Sequence, residues 1–188
     1  MYKRQVLINH GLTPQEIFFY RFLIAYLGIW VISPKRLFAG NWKDELWLMA
    51  GGFFGGSLYF FTENTALGIT QASNVAFIIC TAPLLTTILS LLFYQSEKAT
   101  KGLIYGSILA LIGVGLVVFN GSFVLKLSPV GDLLTLLAAL SWAFYSLVIK
   151  KMTGRYPTVF ITRKIFFYGV LTILPAFLLH PLQPGFDV

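Results

Sequence analysis

Between Glu63 and Glu97 the chain carries no Asp, Glu, Lys or Arg, and Pro83 stands inside that interval. A helix crossing the hydrocarbon core of a bilayer needs roughly 20 apolar residues, and Ala72 to Phe93 supplies that length. Leu46 to Ala66 comes up to meet it across a short turn at Gly68, Thr70 and Gln71. Two apolar segments coupled this closely exceed what a soluble core helix needs. The chain is 57% hydrophobic and 11% charged, where ordinary soluble domains carry about 25% charged residues. Too little polar surface remains to cover a water-exposed fold. The fold class is therefore all-α, a polytopic helical membrane protein.

Six spans are expected. The first opens at Thr13-Pro14-Gln15-Glu16, where Pro suits the first helical position and Glu16 can close a capping box, and it runs to about Ile32. The second, Leu46 to about Ala66, holds overlapping GxxxG pairs, with Gly51 and Gly55 as packing positions that admit a neighbouring helix. The third is Ala72–Phe93. The fourth, Gly102–Asn120, carries a second strip of small residues in which Gly106 and Gly113 are the packing positions. The fifth is Gly131–Ile149, introduced by Ser128-Pro129 and stopped by Lys150-Lys151; the sixth is about Thr158–Leu179. Short connections make consecutive helices antiparallel neighbours.

Basic residues orient the spans. Lys35, Arg36, Lys43, Lys98, Lys101, Lys150, Lys151, Arg155, Arg163 and Lys164 fall at one set of span ends, against Lys3, Arg4 and Lys126 at the other. The first set faces the cytoplasm. Both ends of the chain then lie outside, which is the arrangement expected of a piece of something longer, with a preceding span missing. Pro14 followed seven residues later by Arg21 matches Pro157 followed seven residues later by Lys164. A unit with an odd number of helices, repeated with inverted topology, places the two cations in this way; two unrelated Pro-initiated helices would also do so.

The ordered set of these features resembles the EamA-like branch of the drug/metabolite transporter superfamily. It comprises Ala66-Leu67 with Thr70 and Ala72, the intramembrane Pro83, Glu97-Lys98 leading into the Gly-rich helix from Gly102 to Gly115, then Gly131-Asp132, Ser141-Trp142-Ala143 and Tyr145. Ser96 stands where that family usually has Gly. The resemblance implies ten helices in two inverted five-helix repeats, of which this chain matches helices two to seven. Residues 1–127 would be most of the first repeat, without its first helix, and 128–188 the start of a truncated second.

Few residues can carry chemistry. Arg21 lies about 10 Å into its helix at 1.5 Å per residue, where a charge faces a cavity or a partner or else snorkels to the headgroups. Glu63 sits toward the same side as Arg21 and is either its partner, a protonatable coupling group or an interfacial carboxylate. Lys164 is the inner-side counterpart of Arg21, and snorkelling is the simpler reading of it. Asn64 and Asn74 can hydrogen-bond a solute or a neighbouring helix. Trp142 can line a cavity or pack, and Pro83 can kink its helix. His10 and His180 stand far apart with no metal-ligand spacing around them, Cys80 reads as a small packing residue, and no nucleotide or nucleophile motif is present.

The expected function is that of a permease of the drug/metabolite transporter type, moving a small metabolite or drug across the bacterial inner membrane by alternating access. The alternative is a non-transporting membrane scaffold or an inactive gene fragment. Expected partners are a small solute, with proton coupling as an option, membrane lipids, and a second copy of the chain in an optional homodimer. No cofactor, metal, enzymatic activity or nucleic acid is expected.

Overall fold

The computed structural model describes residues 14–32, 34, 38–94, 100–119 and 128–179. Both histidines, the Glu97-Lys98 pair, Lys126 and the expected repeat boundary at 127 lie outside them. Every regular element among the described residues is a helix. They are α1 (Pro14–Ile32), α2 (Trp42–Gly52), a π-helical segment (Phe53–Leu58), α3 (Tyr59–Ile69), α4 (Ala72–Ile79), α5 (Ala82–Phe93), α6 (Lys101–Phe119), α7 (Pro129–Thr153) and α8 (Thr158–Leu179).

Among the described residues, four stretches are long and apolar enough to cross a bilayer: Gln15–Ile32, Ala72–Phe93, Pro129–Thr153 and Thr158–Phe177. Ile104–Gly113 is a shorter apolar stretch. The expected second span is not one regular helix. It starts earlier, because the Asn41 side chain accepts a hydrogen bond from the Lys43 N–H and the Asn41 carbonyl takes the N–H groups of Asp44 and Glu45. It then widens into the π segment at Phe53–Leu58, with Gly55, Gly56 and Ser57 buried. The expected third span is also interrupted. Cys80 and Thr81 form a turn between α4 and α5 in which the Thr81 hydroxyl and N–H both bond the Ile78 carbonyl. Pro83 falls in the first turn of α5, where its missing N–H is tolerated.

The chain divides into two compact units, Met1–Ser57 with Lys151–Val188, and Leu58–Lys150. In the first, α1 and α8 run antiparallel: Phe19 meets Phe177, and Tyr26 meets Phe167. The α2 helix and its π extension run parallel to α8, with Gly52 against Tyr168 and Ser57 against Gly169 and Thr172. Glycine decides how close these helices come. A Cβ on Gly52 would lie 2.5 Å from the Tyr168 Cβ and 2.9 Å from the Gly169 backbone N, and one on Gly169 would lie 2.8 Å from the Phe22 ring. Gly51 and Gly55 are buried, and their neighbours Gly52 and Gly56 lie against α8.

In the second unit, α4 and α6 lie against each other, with the Phe77 ring 3.3 Å from where a Gly115 Cβ would stand. Gly131 at the start of α7 seats Thr70, while the Tyr94 hydroxyl after α5 donates to the Leu147 carbonyl at 3.4 Å. The α4–α5 pair and α7 therefore run in the same direction. Gly106 and Gly113 are exposed, and among the described residues no atom stands within 4 Å of a Cβ added at either. Thr62, Thr86 and Thr135 return their hydroxyls to the carbonyl four residues earlier, so each helix satisfies these polar groups internally, as an apolar surrounding demands.

Candidate functional site

The first unit holds a layer of charge where α2, the segment after α7 and the second turn of α8 meet. Asp44 and Glu45 stand in the first turn of α2, favourable ground for carboxylates beside the helix N–H groups. Both are buried. Asp44 Oδ1 receives Arg155 Nη1 at 2.8 Å, and Asp44 Oδ2 receives the Tyr156 hydroxyl at 2.9 Å. That hydroxyl in turn accepts the Gly40 N–H at 3.1 Å. Glu45 Oε1 receives both the Lys164 ammonium and the Tyr168 hydroxyl, and Glu45 Oε2 receives the Ala39 N–H at 2.7 Å. Lys164 Nζ also stands 4.7 Å from the centre of the Phe38 ring and 5.2 Å from that of Tyr168, a cation–π arrangement. Glu16 and Arg163 are buried in the same unit, each engaged in an interaction.

The two ion pairs differ in worth. The side chain of Arg155 is 55% exposed while that of Lys164 is 4% exposed. Water screens the first pair, which contributes at most about 1 kcal/mol. The second leaves a desolvated charge behind if either member goes, so breaking it is costly. Burial raises the Glu45 carboxyl's pKa, but the hydrogen bonds from Lys164, Tyr168 and Ala39, with the Lys164 charge, outweigh it and hold the group below the ordinary carboxylate range. Just outside the spans, the Tyr156 hydroxyl is shifted upward by desolvation and by its hydrogen bond to Asp44.

Lys164 thus departs from the snorkelling expectation. Its ammonium is turned inward because α2 offers it a carboxylate and three rings offer their faces. Arg21 is exposed on α1. It belongs to the first unit and Glu63 to the second. In the second unit Glu63 is half-buried and accepts the Tyr59 hydroxyl at 3.4 Å. Trp142 packs its ring 5.1 Å from Tyr59 and 5.1 Å from Tyr145. Asn64 is half-buried on α3 and Asn74 is buried in the first turn of α4. No group of three or more His, Cys, Asp or Glu capable of holding a metal ion occurs among the described residues.

Asp44, Glu45, Tyr156 and Tyr168 were not singled out from the sequence. Two signals pointed to them. Asn41 followed three residues later by an acid has the spacing of a helix start. Only seven acidic residues occur in the chain, so a lysine inside a span has few partners available on its own side.

Helices of this composition, several of them long enough to span, define a multi-pass α-helical membrane protein. The EamA-like transporter family model matches residues 5–119, and the chain belongs to that family. It is 31% identical over 151 residues to "Uncharacterized transporter YdfC" of Bacillus subtilis (strain 168), which covers 78% of this chain and 47% of that protein. It is 27% identical over 168 residues to an "Uncharacterized transporter" of Archaeoglobus fulgidus, covering 87% of this chain and 57% of that one. The chain spans about half the length of the curated relatives it matches. No solved structure matches it.

Proposed function

We propose that the chain forms part of a permease that moves a small metabolite or drug across the cell membrane, in a bacterium the inner membrane, by alternating access. The observation that carries this reading is the charge layer of the first unit. Asp44 and Glu45 are paired with Arg155 and Lys164, partners 111 and 119 residues away along the chain. If residues 1–127 and 128–188 belong to two inverted repeats, both pairs join one repeat to the other at the cytoplasmic ends of their helices. Alternating access needs a contact between repeats that closes firmly and still opens. Ion pairs and hydrogen bonds suit that use better than apolar packing, because water entering the opened layer solvates the separated charges and returns part of the cost of parting them.

Counterflow in proteoliposomes tests the reading. Vesicles loaded with a panel of anionic, neutral and cationic metabolites are expected to accumulate at least one labelled solute against empty-vesicle controls. Glu45→Ala is expected to lower the rate at least tenfold, after correction for folded protein. No exchange of any solute, in vesicles whose protein is folded and monodisperse, would favour the scaffold or inactive-fragment reading.

A further inference from the structure

We propose that Lys43, Trp47, Lys151 and Arg155 form a binding site for an anionic phospholipid, with the exposed apolar stripe of α2 as the track for an acyl chain. The end of α7 and the turn after it pass the start of α2, and the two meet at successive points. Lys151 Nζ stands 3.8 Å from the centre of the Trp47 ring, and Arg155 Nη1 bonds Asp44 Oδ1 at 2.8 Å. Their α2 partners, Trp47 and Asp44, are three residues apart, so the two cations step along α2 by about one turn. Lys43 lies four residues before Trp47 and shares its face. Lys43 and Arg155 are exposed and Lys151 is half-buried. The Lys151 ammonium rests on a ring rather than a carboxylate, a cation–π contact that leaves its charge unneutralised.

The charge at this place does not balance. Asp44 is paired with Arg155 and Glu45 with Lys164; among the described residues no carboxylate forms an ion pair with Lys43 or Lys151. Two positive charges remain for a partner. Beside them Trp42, Leu46, Met49 and Phe53 recur at spacings of four, three and four, one stripe of the helix. All four are exposed, Trp42 by 75%. Rings and cations at one end of a span, with an apolar stripe leading away from them, have the layout of a headgroup and its chain. Aromatic side chains settle at the headgroup level, the cations meet the phosphate, and hydrocarbon covers the stripe. On the orientation given by the basic residues, these headgroups belong to the cytoplasmic leaflet, the anionic one. A zwitterionic lipid brings the same chain but also its own cation, which the lysines repel. Arg155 is shared, since a bound phosphate and Asp44 both draw on its guanidinium. Diffuse attraction of basic residues to the membrane surface is the competing account, and it predicts that cytoplasmic cations count alike wherever they stand.

Native mass spectrometry of the full chain, titrated in detergent with phosphatidylglycerol or with phosphatidylcholine of the same acyl chains, counts bound lipid. Phosphatidylglycerol is expected to bind roughly tenfold more tightly than phosphatidylcholine. Lys43→Ala and Lys151→Ala should each weaken it about fivefold, the effect of one basic residue at a headgroup, and Lys151→Arg less than about twofold. Trp47→Leu should weaken it roughly threefold. If Trp47→Leu does not fold, the lysine variants, neither at a buried position, carry the comparison. Lys101→Ala, which removes a cation at the start of α6, should change the affinity less than about twofold. Equal binding of the two lipids, or a loss in Lys101→Ala as large as in Lys151→Ala, overturns the site in favour of diffuse attraction. Inorganic phosphate and glycerol phosphate in millimolar amounts should leave the lipid bound. Displacement by either would assign the cluster to a soluble phosphate compound and overturn the lipid site. Binding is read without any transported solute, so its failure leaves the transport reading standing, and a failed counterflow leaves this site standing.

Discussion

Replacing Glu45 or Lys164 singly by alanine is expected to cost about 3–5 kcal/mol of stability, the usual loss when one member of a buried ion pair is removed. The reason is the orphan left behind. Without Glu45, the Lys164 ammonium keeps three aromatic rings and loses its carboxylate. Without Lys164, Glu45 keeps the Tyr168 hydroxyl and the Ala39 N–H and loses its counter-charge. The double change Glu45→Gln with Lys164→Met should recover most of the loss, because the glutamine carbonyl still accepts from Tyr168 and neither position leaves an orphaned charge. Unfolding in detergent, followed by tryptophan fluorescence across this cycle, measures it. Single substitutions costing less than about 1 kcal/mol would mean that the pair is solvated in the folded protein.

The pH dependence has a definite sign. The folded Glu45 carboxyl lies below its ordinary value, so its contribution is fully present above about pH 4.3, the ordinary range of a free glutamate. It is lost as the pH falls through the lower, folded value. The stability difference between the native protein and Glu45→Gln should therefore be flat from pH 5 to 8 and shrink below about pH 4.

Gly52→Ala is expected to destabilise the first unit by about 1–3 kcal/mol, the range for overpacking a tight contact. The added methyl would meet the Tyr168 Cβ and the Gly169 backbone, neither of which can swing aside without separating α2 from α8. Gly169→Ala should cost less, since its methyl meets the Phe22 ring, a side chain that can rotate. Gly106→Ala, with open space around it, should be neutral or gain up to about 1 kcal/mol of helix propensity. Thermal inactivation of the three variants side by side gives the order. Equal effects at Gly52 and Gly106 would remove the close α2–α8 approach from the account.

Much of the fold is legible in the residues. The uncharged run after Glu63 and the Pro-initiated helices at Pro14 and Pro129 follow from hydropathy and capping chemistry. The interruptions are less legible. The π segment arises where Gly56 and Ser57 are pressed against α8, a tertiary demand that local pattern does not announce. The Cys80-Thr81 turn lies just ahead of Pro83, so the proline gives the neighbourhood of the break but not its place. The charge layer is the larger omission. Asp44 and Glu45 lie beside Lys43 in what reads as a solvated loop, and only their long-range partners reveal them as buried. Glu63 and Trp142, in contrast, are conspicuous in the sequence because each is unusual for its span.

The claim at the centre of this account is that the layer joining Asp44 and Glu45 to Arg155 and Lys164 must open for solute to move. Asp44→Cys with Arg155→Cys, in a Cys80→Ala background of the transport-competent protein, places two thiols where a solvent-screened pair now stands. A reducible bifunctional reagent of side-chain length then ties the layer shut. Counterflow is expected to stop on cross-linking and to return when the link is reduced. Cross-linked protein that exchanges solute at the uncross-linked rate would contradict the claim.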